Sequence, residues 1–335
     1  MQAAFITAYG PLENIQVGEQ PKPNPSKGEV LVRMRAASVN PIDYKQVLGE
    51  LKPLVKPAFP LLLGSDGAGV VEALGEGVEG FETGDEVYFR TPLMATGSIA
   101  EYISLPASVL ALKPTNMSFA EAASIPLVGL TAVQALEKAG LKAGARVLIH
   151  AGAGGVGSFA IQYAKAMGAY VATTASQKRF DMLKALGADE IVDYRNARIE
   201  DQLKDMDIVL DTLGPTVRDA SYKTLKKGGT LVSIQGMPDP ETVARMGVNP
   251  IIRMVARLSQ WKHRRVATKY GAVFQYHWMR ESGAELAKIS ALIKAGEIKA
   301  VIDSQFSLED TPAAFARSAS GRAGGKIVVM IEGGS

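Results

Sequence analysis

A glycine-rich turn is the part of this sequence whose residue types and spacing are best suited to chemistry. The largely apolar residues 145–149 lead into the run His150-Ala151-Gly152-Ala153-Gly154-Gly155-Val156-Gly157, and a helix-like segment follows. Gly152 permits a tight turn, Gly154 lets the backbone approach phosphate oxygens, and Gly157 lets the new helix pack closely on its strand. The helix N-terminus adds free N–H groups and the positive end of a dipole, so the pattern predicts a pyrophosphate-binding turn.

The residues after the second predicted strand distinguish two forms of dinucleotide. A site for an unphosphorylated ribose places a carboxylate there, about 20 residues past the first glycine. Residues 173–179 instead read TTASQKR, with no acid before Asp181. Ser176, Lys178 and Arg179 can donate to a 2′-phosphate and neutralise it. The alternative, that the two cations only solvate a surface helix, would place them at the unfavourable end of its dipole, so we expect NADPH rather than NADH.

Alternating segments supply the framework for these residues. Predicted strands at 169–174, 190–192, 208–211 and 230–234 alternate with predicted helices, among them 158–167 and 178–186. Such alternation predicts a parallel sheet covered by helices on both faces. An α/β domain that binds no nucleotide is the alternative interpretation.

The part of the chain before the glycine-rich turn has a different pattern. Residues 29–35, 69–73 and 86–89 alternate with a period of two, and turns rich in Gly and Pro separate them. Many short strands with frequent turns predict a small, antiparallel, barrel-like domain.

Size and composition narrow the possible classes of protein. A length of 335 residues suits two domains, and 47% hydrophobic with 21% charged residues is ordinary for a soluble globular enzyme. The net charge of +3 gives no reason to expect a nucleic-acid partner. Since we find no leader-like N-terminal pattern and no bilayer-spanning apolar stretch, we expect a soluble, cytoplasmic protein without integral membrane association.

Several short motifs, in their order and spacing, resemble the zinc-free quinone oxidoreductase branch of the medium-chain dehydrogenase/reductase superfamily. The resemblance extends over nearly the whole chain. In chain order the motifs are residues 2–5 (QAAF), 38–45 (SVNPIDYK), 64–71 (GSDGAGVV), 97–102 (GSIAEY), 128–132 (VGLTA), 186–189 (LGAD), 193–194 (DY), 211–214 (DTLG) and 321–326 (GRAGGK).

The metal ligands of zinc-dependent relatives have no counterpart in this sequence. Those relatives carry a Cys near Asn40, a Gly-His-Glu in place of Gly64-Ser65-Asp66, and often a four-Cys lobe near residues 92–97. The chain has no Cys and only three His, which also excludes disulfides and a thiolate nucleophile. The resemblance therefore implies chemistry without a metal.

The resemblance implies both an architecture and an activity. The fold would be α/β, with a GroES-like β-barrel catalytic domain at residues 1–124 and 279–335. A Rossmann domain with a doubly wound parallel sheet would occupy residues 125–278 and bind NADPH. The activity would be hydride transfer from NADPH to quinones or α,β-unsaturated carbonyls such as enones and enals. An alcohol dehydrogenase-type oxidoreductase and a non-catalytic NADPH-binding sensor are the alternatives.

Individual site residues follow from the same resemblance. Asn40, Tyr44 and Lys45 would lie near the nicotinamide or the substrate, and Tyr44 or Asn40 would donate a hydrogen bond to the substrate oxygen. Tyr44 could instead be an aromatic wall that only shapes the pocket. Further cofactor contacts would come from Thr131, Gly154, Gly155, Val156, Tyr194, Leu213, Gly214, Phe274 and Lys326.

Two late segments suggest interactions beyond the cofactor. Residues 249–270 place Ile251, Met254, Val255, Leu258 and Trp261 at helical spacing opposite a basic face. We interpret this helix as core-facing with a solvated basic side, and a membrane-surface helix is the alternative. Residues 272–278 (AVFQYHW) predict an aromatic edge strand, which in the family pairs with its twin across a two-fold axis, so we expect a homodimer.

Overall fold

The chain is organised as two compact units. The structure is a computed structural model that describes residues 1–54, 57–92 and 97–331. The first unit comprises Met1–Leu130 and Glu281–Ser335, and the second comprises Thr131–Arg280. Most of the 92–97 segment, where zinc-dependent relatives often have a four-Cys lobe, lies outside the described residues.

The N-terminal part of the first unit is mainly β-structure. Its strands are β1 (Gln2–Ile6), β2 (Gln16–Glu19), β3 (Glu29–Val39), β4 (Leu61–Leu62), β5 (Asp66–Leu74), β6 (Glu86–Arg90), β7 (Tyr102–Pro106) and β8 (Leu110–Leu112). Its helices are α1 (Pro41–Val47), α2 (Phe119–Ala123) and α3 (Pro126–Lys138), the last of which continues into the second unit.

The second unit alternates strands with helices, as its sequence predicts. Its strands are β9 (Arg146–Ile149), β10 (Tyr170–Ala175), β11 (Glu190–Asp193), β12 (Met206–Asp211), β13 (Leu225–Ser233) and β14 (Val273–Tyr276). Its helices are α4 (Gly155–Ala166), α5 (Phe180–Ala185), α6 (Ile199–Gln202), α7 (Pro215–Thr224), α8 (Pro240–Arg245) and α9 (Pro250–Lys269).

The chain then returns to the first unit and completes its largest sheet. The returning elements are α10 (Gly283–Lys294), β15 (Ile302–Phe306), α11 (Thr311–Ala319) and β16 (Lys326–Met330). Among the described residues the order of the seven-stranded sheet is β15-β16-β3-β5-β6-β8, with β7 also paired to β3. Except for the parallel pair β15–β16, neighbouring strands are antiparallel, and the apolar residues of β3 lie in the core beside Phe89 and Phe315.

The sheet of the second unit is entirely parallel. Its order is β11-β10-β9-β12-β13-β14, which is the third, second, first, fourth, fifth and sixth strand of the unit. This is the strand order of dinucleotide-binding sheets, whose ligands lie beyond the carboxyl ends of the strands. The predicted α/β class, with a GroES-like domain and a Rossmann sheet, is confirmed.

Helix α9 exists where the sequence predicts it, but its orientation corrects our interpretation. Leu258 and Trp261 are 59% and 57% exposed, whereas Ala256 and Ala267 are buried. The apolar stripe therefore faces solvent, and the core-facing interpretation of residues 249–270 is wrong. Periodicity shows that a helix has two faces, but the side chains that fit the sheet decide which face is buried.

Within the described residues, the structure has no helix that is both long enough and apolar enough to cross a bilayer.

Candidate active site and cofactor site

The glycine-rich turn joins β9 to α4 at the carboxyl edge of the parallel sheet. Gly152 and Gly157 are both buried, and neither position has room for a side chain. A Cβ on Gly152 would collide with Thr173 Oγ1, and a Cβ on Gly157 would collide with Ala151 O and lie 2.8 Å from Gly152 Cα. These two glycines are therefore required for the close packing of α4 on its strand.

The outer part of the same turn is open. Gly154, Gly155 and Val156 are partly exposed, and a Cβ on Gly154 would have Ala151 O, 3.4 Å away, as its nearest neighbour. Gly154 is the N-cap of α4, and no side chain among the described residues caps this helix. The first-turn N–H groups thus lie beside an open surface of glycine backbone, which fits the pyrophosphate of a dinucleotide.

The other predicted cofactor residues follow neighbouring strands at the same edge. Ser176 comes directly after β10, Tyr194 directly after β11, and Leu213 two residues after β12. Tyr194 is 58% and Leu213 48% exposed, so both side chains are accessible to a ligand at this edge. Strand order alone thus brings these predicted cofactor residues to one edge of one sheet.

The charge at the end of β10 is positive. Ser176 is buried and starts a short 3-10 helix, Gln177–Arg179, in which Lys178 is exposed and Arg179 half-buried. The Ser176 side chain makes no capping hydrogen bond to this turn. The turn therefore offers a hydroxyl and two cations, which is a donor set suited to a phosphate.

A buried ion pair lies behind the loop that follows β12, and sequence reasoning missed it. Arg218 Nε donates to Asp211 Oδ2 at 2.7 Å, and both side chains are buried. Arg218 Nη2 also donates to Ser233 Oγ at 2.9 Å and to the carbonyl of Gln235 at 2.7 Å. The signal in the sequence was Asp211 itself, since a carboxylate that ends a buried strand needs a partner.

The second oxygen of the same carboxylate holds the adenine-side loop. Asp211 Oδ1 accepts hydrogen bonds from the N–H groups of Leu213 and Gly214 at 3.0 and 2.7 Å. Gly214 has a φ of +87°, a conformation that favours glycine. The ion pair therefore fixes the shape of a loop in which two cofactor contacts are predicted.

In the first unit, strand register brings together three polar residues that are distant in sequence. Ser38 near the end of β3 pairs with Asp66 at the start of β5, and Val39 pairs with Ile327 of β16. Asn40, which follows β3, thus lies beside both Asp66 and Lys326, the residue that begins β16. All three side chains are buried.

These side chains form one hydrogen-bonded cluster. Lys326 Nζ donates to Asn40 Oδ1 and lies 3.5 Å from Asp66 Oδ2. Asn40 Nδ2 donates to the same Asp66 oxygen at 3.0 Å, and Ser38 Oγ donates to it at 3.1 Å. Burial lowers the pKa of Lys326, and the two nearby carboxylates, Asp66 foremost, oppose this shift.

A second carboxylate beside the cluster anchors helix α1. Asp43 accepts from Ser65 Oγ at 2.5 Å and from the backbone N–H of Asn40 at 2.7 Å. Burial raises the pKa of Asp43 to about 6, although the hydrogen bond from Ser65 and the charge of Arg90 both act to lower it. The first turn of α1 is thereby tied to the buried cluster.

Tyr44 and Lys45 lie on the same helix, next to this anchor. Both are half-buried, and Tyr44 packs partly against the core. Burial raises the pKa of Tyr44, and the charge of Glu50 adds to the shift, so its phenol keeps its proton at neutral pH. A neutral phenol can donate a hydrogen bond to a substrate oxygen.

Comparisons with known proteins agree with this architecture. Residues 26–115 match the family described as an alcohol dehydrogenase GroES-like domain, and residues 186–329 match the family described as a zinc-binding dehydrogenase. The 2-methylene-furan-3-one reductase of Solanum lycopersicum is 35% identical over an alignment 340 residues long, which covers 98% of this chain and 79% of that protein. The chain belongs to the quinone oxidoreductase branch of the medium-chain dehydrogenase/reductase superfamily.

Two further relatives extend the comparison. The NADPH-dependent alkenal/one oxidoreductase, chloroplastic, of Arabidopsis thaliana is 32% identical, with 98% of this chain and 79% of that protein covered. The solved structure of the quinone oxidoreductase from Coxiella burnetii is 30% identical, covers 99% of both chains and superposes with a TM-score of 0.83.

The positions that carry Cys and His in zinc-dependent members have a different chemistry here. Asn40 bonds to Asp66 and to Lys326, and Ser65 donates to Asp43, so a buried ammonium lies at this point of the fold. Among residues 1–54, 57–92 and 97–331 there is no group of three or more His, Asp or Glu that could hold a metal ion.

Three further predicted cofactor residues are buried among other side chains. Phe274 is buried in the core, 4.9 Å from the His263 ring, and Thr131 is buried in α3. Lys326 donates to Asn40 and lies 3.5 Å from Asp66. Cofactor roles for these three residues stay predictions.

Proposed function

We propose that this protein transfers a hydride from NADPH to quinones or α,β-unsaturated carbonyls, without a metal ion. The observation that carries the proposal is the open, uncapped glycine N-terminus of α4, which lies at the same sheet edge as a serine and two cations. The names of relatives about a third identical support the acceptor class.

Each part of the chain has a separate task in this proposal. NADPH, when bound, supplies the hydride. The outer glycines hold its pyrophosphate, and Ser176, Lys178 and Arg179 hold its 2′-phosphate. Tyr44 donates to the carbonyl oxygen on which negative charge develops. The structure favours Tyr44 over Asn40 for this role, because the Asn40 amide is already bonded to Asp66 and Lys326.

The acceptor class is tested by NADPH oxidation with a panel of quinones and a panel of enones and enals at saturating cofactor. Turnover of either panel supports the proposal, whereas tight NADPH binding without turnover would identify a sensor. Dialysis against a chelator should leave kcat unchanged, and a loss of activity that zinc restores would contradict the metal-free mechanism.

The 2′-phosphate site is tested by the double variant Lys178→Ala/Arg179→Ala. It should bind NADPH about tenfold more weakly or worse, with the affinity for NADH unchanged, because only the phosphate contacts are lost. Lys184→Ala is the matched control, since Lys184 is an exposed lysine farther along α5. A parallel loss of affinity for both cofactors would argue against this assignment.

The role of Tyr44 is tested with two substitutions. Tyr44→Phe removes only the hydroxyl and should lower kcat by about 10- to 100-fold if the phenol donates to the substrate. Tyr44→Ala removes the ring as well. If Tyr44→Phe keeps the full kcat and only Tyr44→Ala loses activity, the side chain is a wall of the pocket.

The free edge of β14 supports a homodimer. In the described part of the chain β14 pairs only with β13, and Val273 is 45% exposed on this edge. An unprotected, nearly uncharged edge strand is stabilised when a second copy pairs with it across a two-fold axis. Light scattering should give twice the mass of the chain, and a monomer at micromolar concentration would refute the proposal. A cytoplasmic location stays a prediction.

A further inference from the structure

Helix α9 is held in place by its small and polar residues. Ala256, Gln260 and Ala267 are buried, and Gln260 Nε2 donates to the carbonyl of Met237 at 3.1 Å. His263 is half-buried on the same face, where it lies between Phe274 and Arg218. These contacts fix the rotation of the helix about its axis.

The large apolar side chains of α9 consequently point away from the protein. They recur at intervals of three or four residues and form a continuous stripe over the first three turns. The members of this stripe, with their exposed fractions, are Ile251 (64%), Met254 (58%), Val255 (44%), Leu258 (59%) and Trp261 (57%). A contiguous exposed apolar patch of this kind marks a surface that binds something.

Every charged side chain of α9 is a cation. The sequence of α9, residues 250–269, contains no Asp or Glu. Its cations are all exposed, namely Arg253, Arg257, Lys262, Arg264, Arg265 and Lys269. The Arg265 guanidinium lies over the Trp261 ring at 5.3 Å, so one cation directly borders the stripe.

This charge decides between two possible occupants. A second copy of the chain, docked by two-fold symmetry, would bring the same cations against each other, which is unfavourable. An anionic lipid surface would instead attract the cations and accept the apolar side chains, including a tryptophan at the interface. We propose that α9 is a docking surface for anionic membranes, on which the helix lies in the plane of the headgroups.

The proposal does not depend on the enzyme's activity, and it is tested with the full-length protein. Vesicles of phosphatidylcholine mixed with phosphatidylserine should pellet the protein at low salt, and vesicles of phosphatidylcholine alone should pellet much less of it. In a Trp278→Phe background, Trp261 is the sole tryptophan, and its emission should shift to the blue on binding.

Two groups of variants separate the apolar and the electrostatic contributions. Leu258→Ser/Trp261→Ser should reduce the partition coefficient at least about tenfold, because two side chains no longer enter the interface. Arg253→Gln/Arg257→Gln/Arg264→Gln should abolish the preference for phosphatidylserine. Leu112→Ser is the matched control, since Leu112 is 50% exposed elsewhere in the protein, and it should bind like the unmodified chain.

Three outcomes would overturn the proposal. The first is an absence of pelleting with anionic vesicles at low salt, which would leave an acidic protein as the partner. The second is unchanged pelleting of the Leu258→Ser/Trp261→Ser variant. The third is a fall in mass of that variant by light scattering, which would make the stripe a subunit interface.

Discussion

Each unit of this protein contains a buried ion pair close to its candidate site residues, Arg218–Asp211 in the second unit and Lys326–Asp66 in the first. The two pairs use different cations. The pair in the second unit uses an arginine, whose planar group contacts Asp211, Ser233 and Gln235 at 2.7 to 2.9 Å. The pair in the first unit uses Lys326, a point charge 3.5 Å from Asp66. The planar guanidinium of Arg218 directs several hydrogen bonds at fixed angles, whereas the ammonium of Lys326 mainly neutralises charge.

The choice of arginine in one pair and lysine in the other matches what each pair has to hold in place. The arginine pair holds a loop in which two cofactor contacts are predicted, so several directed hydrogen bonds are useful there. The lysine pair stabilises the strand ends next to α1, the helix that carries Tyr44. A single ammonium suffices for this, because Ser38, Asn40 and the N–H of Leu127 also donate to Asp66.

Arg218→Met should have the largest effect. It leaves Asp211 buried without a cation, which costs about 3–5 kcal/mol of the free energy of unfolding, and it should also weaken NADPH binding. Urea unfolding and cofactor titration measure the two effects. Lys223→Met on the same helix is the control, since its pair with Asp219 is exposed and should be worth less than about 1 kcal/mol. Equal losses of stability in the two variants would mean that the buried pair is no more important than the exposed one.

Lys326→Met should lower the free energy of unfolding by less, about 3 kcal/mol, because Asp66 keeps its other three donors. In the double variant Lys326→Met/Asp66→Asn no buried charge remains unpaired, so much of the loss should be recovered. Unfolding free energies of the four proteins give the coupling, expected at about 1–3 kcal/mol. A coupling near zero would mean that Asn40, rather than Asp66, is the important partner of Lys326.

The cluster in the first unit should also make stability depend on pH. The pKa of Asp43 is raised to about 6 in the folded protein, so the folded state binds a proton more readily than the unfolded chain. The free energy of unfolding should therefore fall as pH rises from about 4 to 6, by at most about 3 kcal/mol. Asp43→Asn should remove this slope in urea unfolding measured across the range, and a slope that persists would assign it to another group.

Arg218→Lys is the mildest change and compares the two cations directly. The charge on Asp211 stays neutralised, but the contacts to Ser233 and Gln235 are lost, which should cost about 1–2 kcal/mol. NADPH affinity should fall while the urea m-value stays constant. If the variant is as stable as the unmodified chain, the guanidinium of Arg218 contributes no more to stability than an ammonium would, and the two ion pairs are equivalent.

Local patterns in the sequence account for much of the candidate cofactor site. The glycine-rich turn, the cations at Lys178 and Arg179, and the alternation of strands and helices depend only on turn chemistry and on the period of apolar residues. The parallel order of the sheet then brings residues that follow different strands to one edge. Such features are predictable because each is specified within a short stretch of chain.

Contacts between distant residues were not predictable in this way. Lys326 meets Asn40 across 286 positions, and only the fold shows that it is the cation of a buried cluster. Likewise, the sequence around Arg218 does not indicate that its side chain bonds to Asp211 and Ser233.

Local sequence patterns specify the order of elements, the glycine geometry that a pyrophosphate needs, and the two-sided character of the helix at residues 250–269. The tertiary structure alone decided which side of that helix is covered and which charges are paired. The physical reason is that periodicity is a property of one segment, whereas burial and pairing depend on the register and packing of segments far apart in the chain.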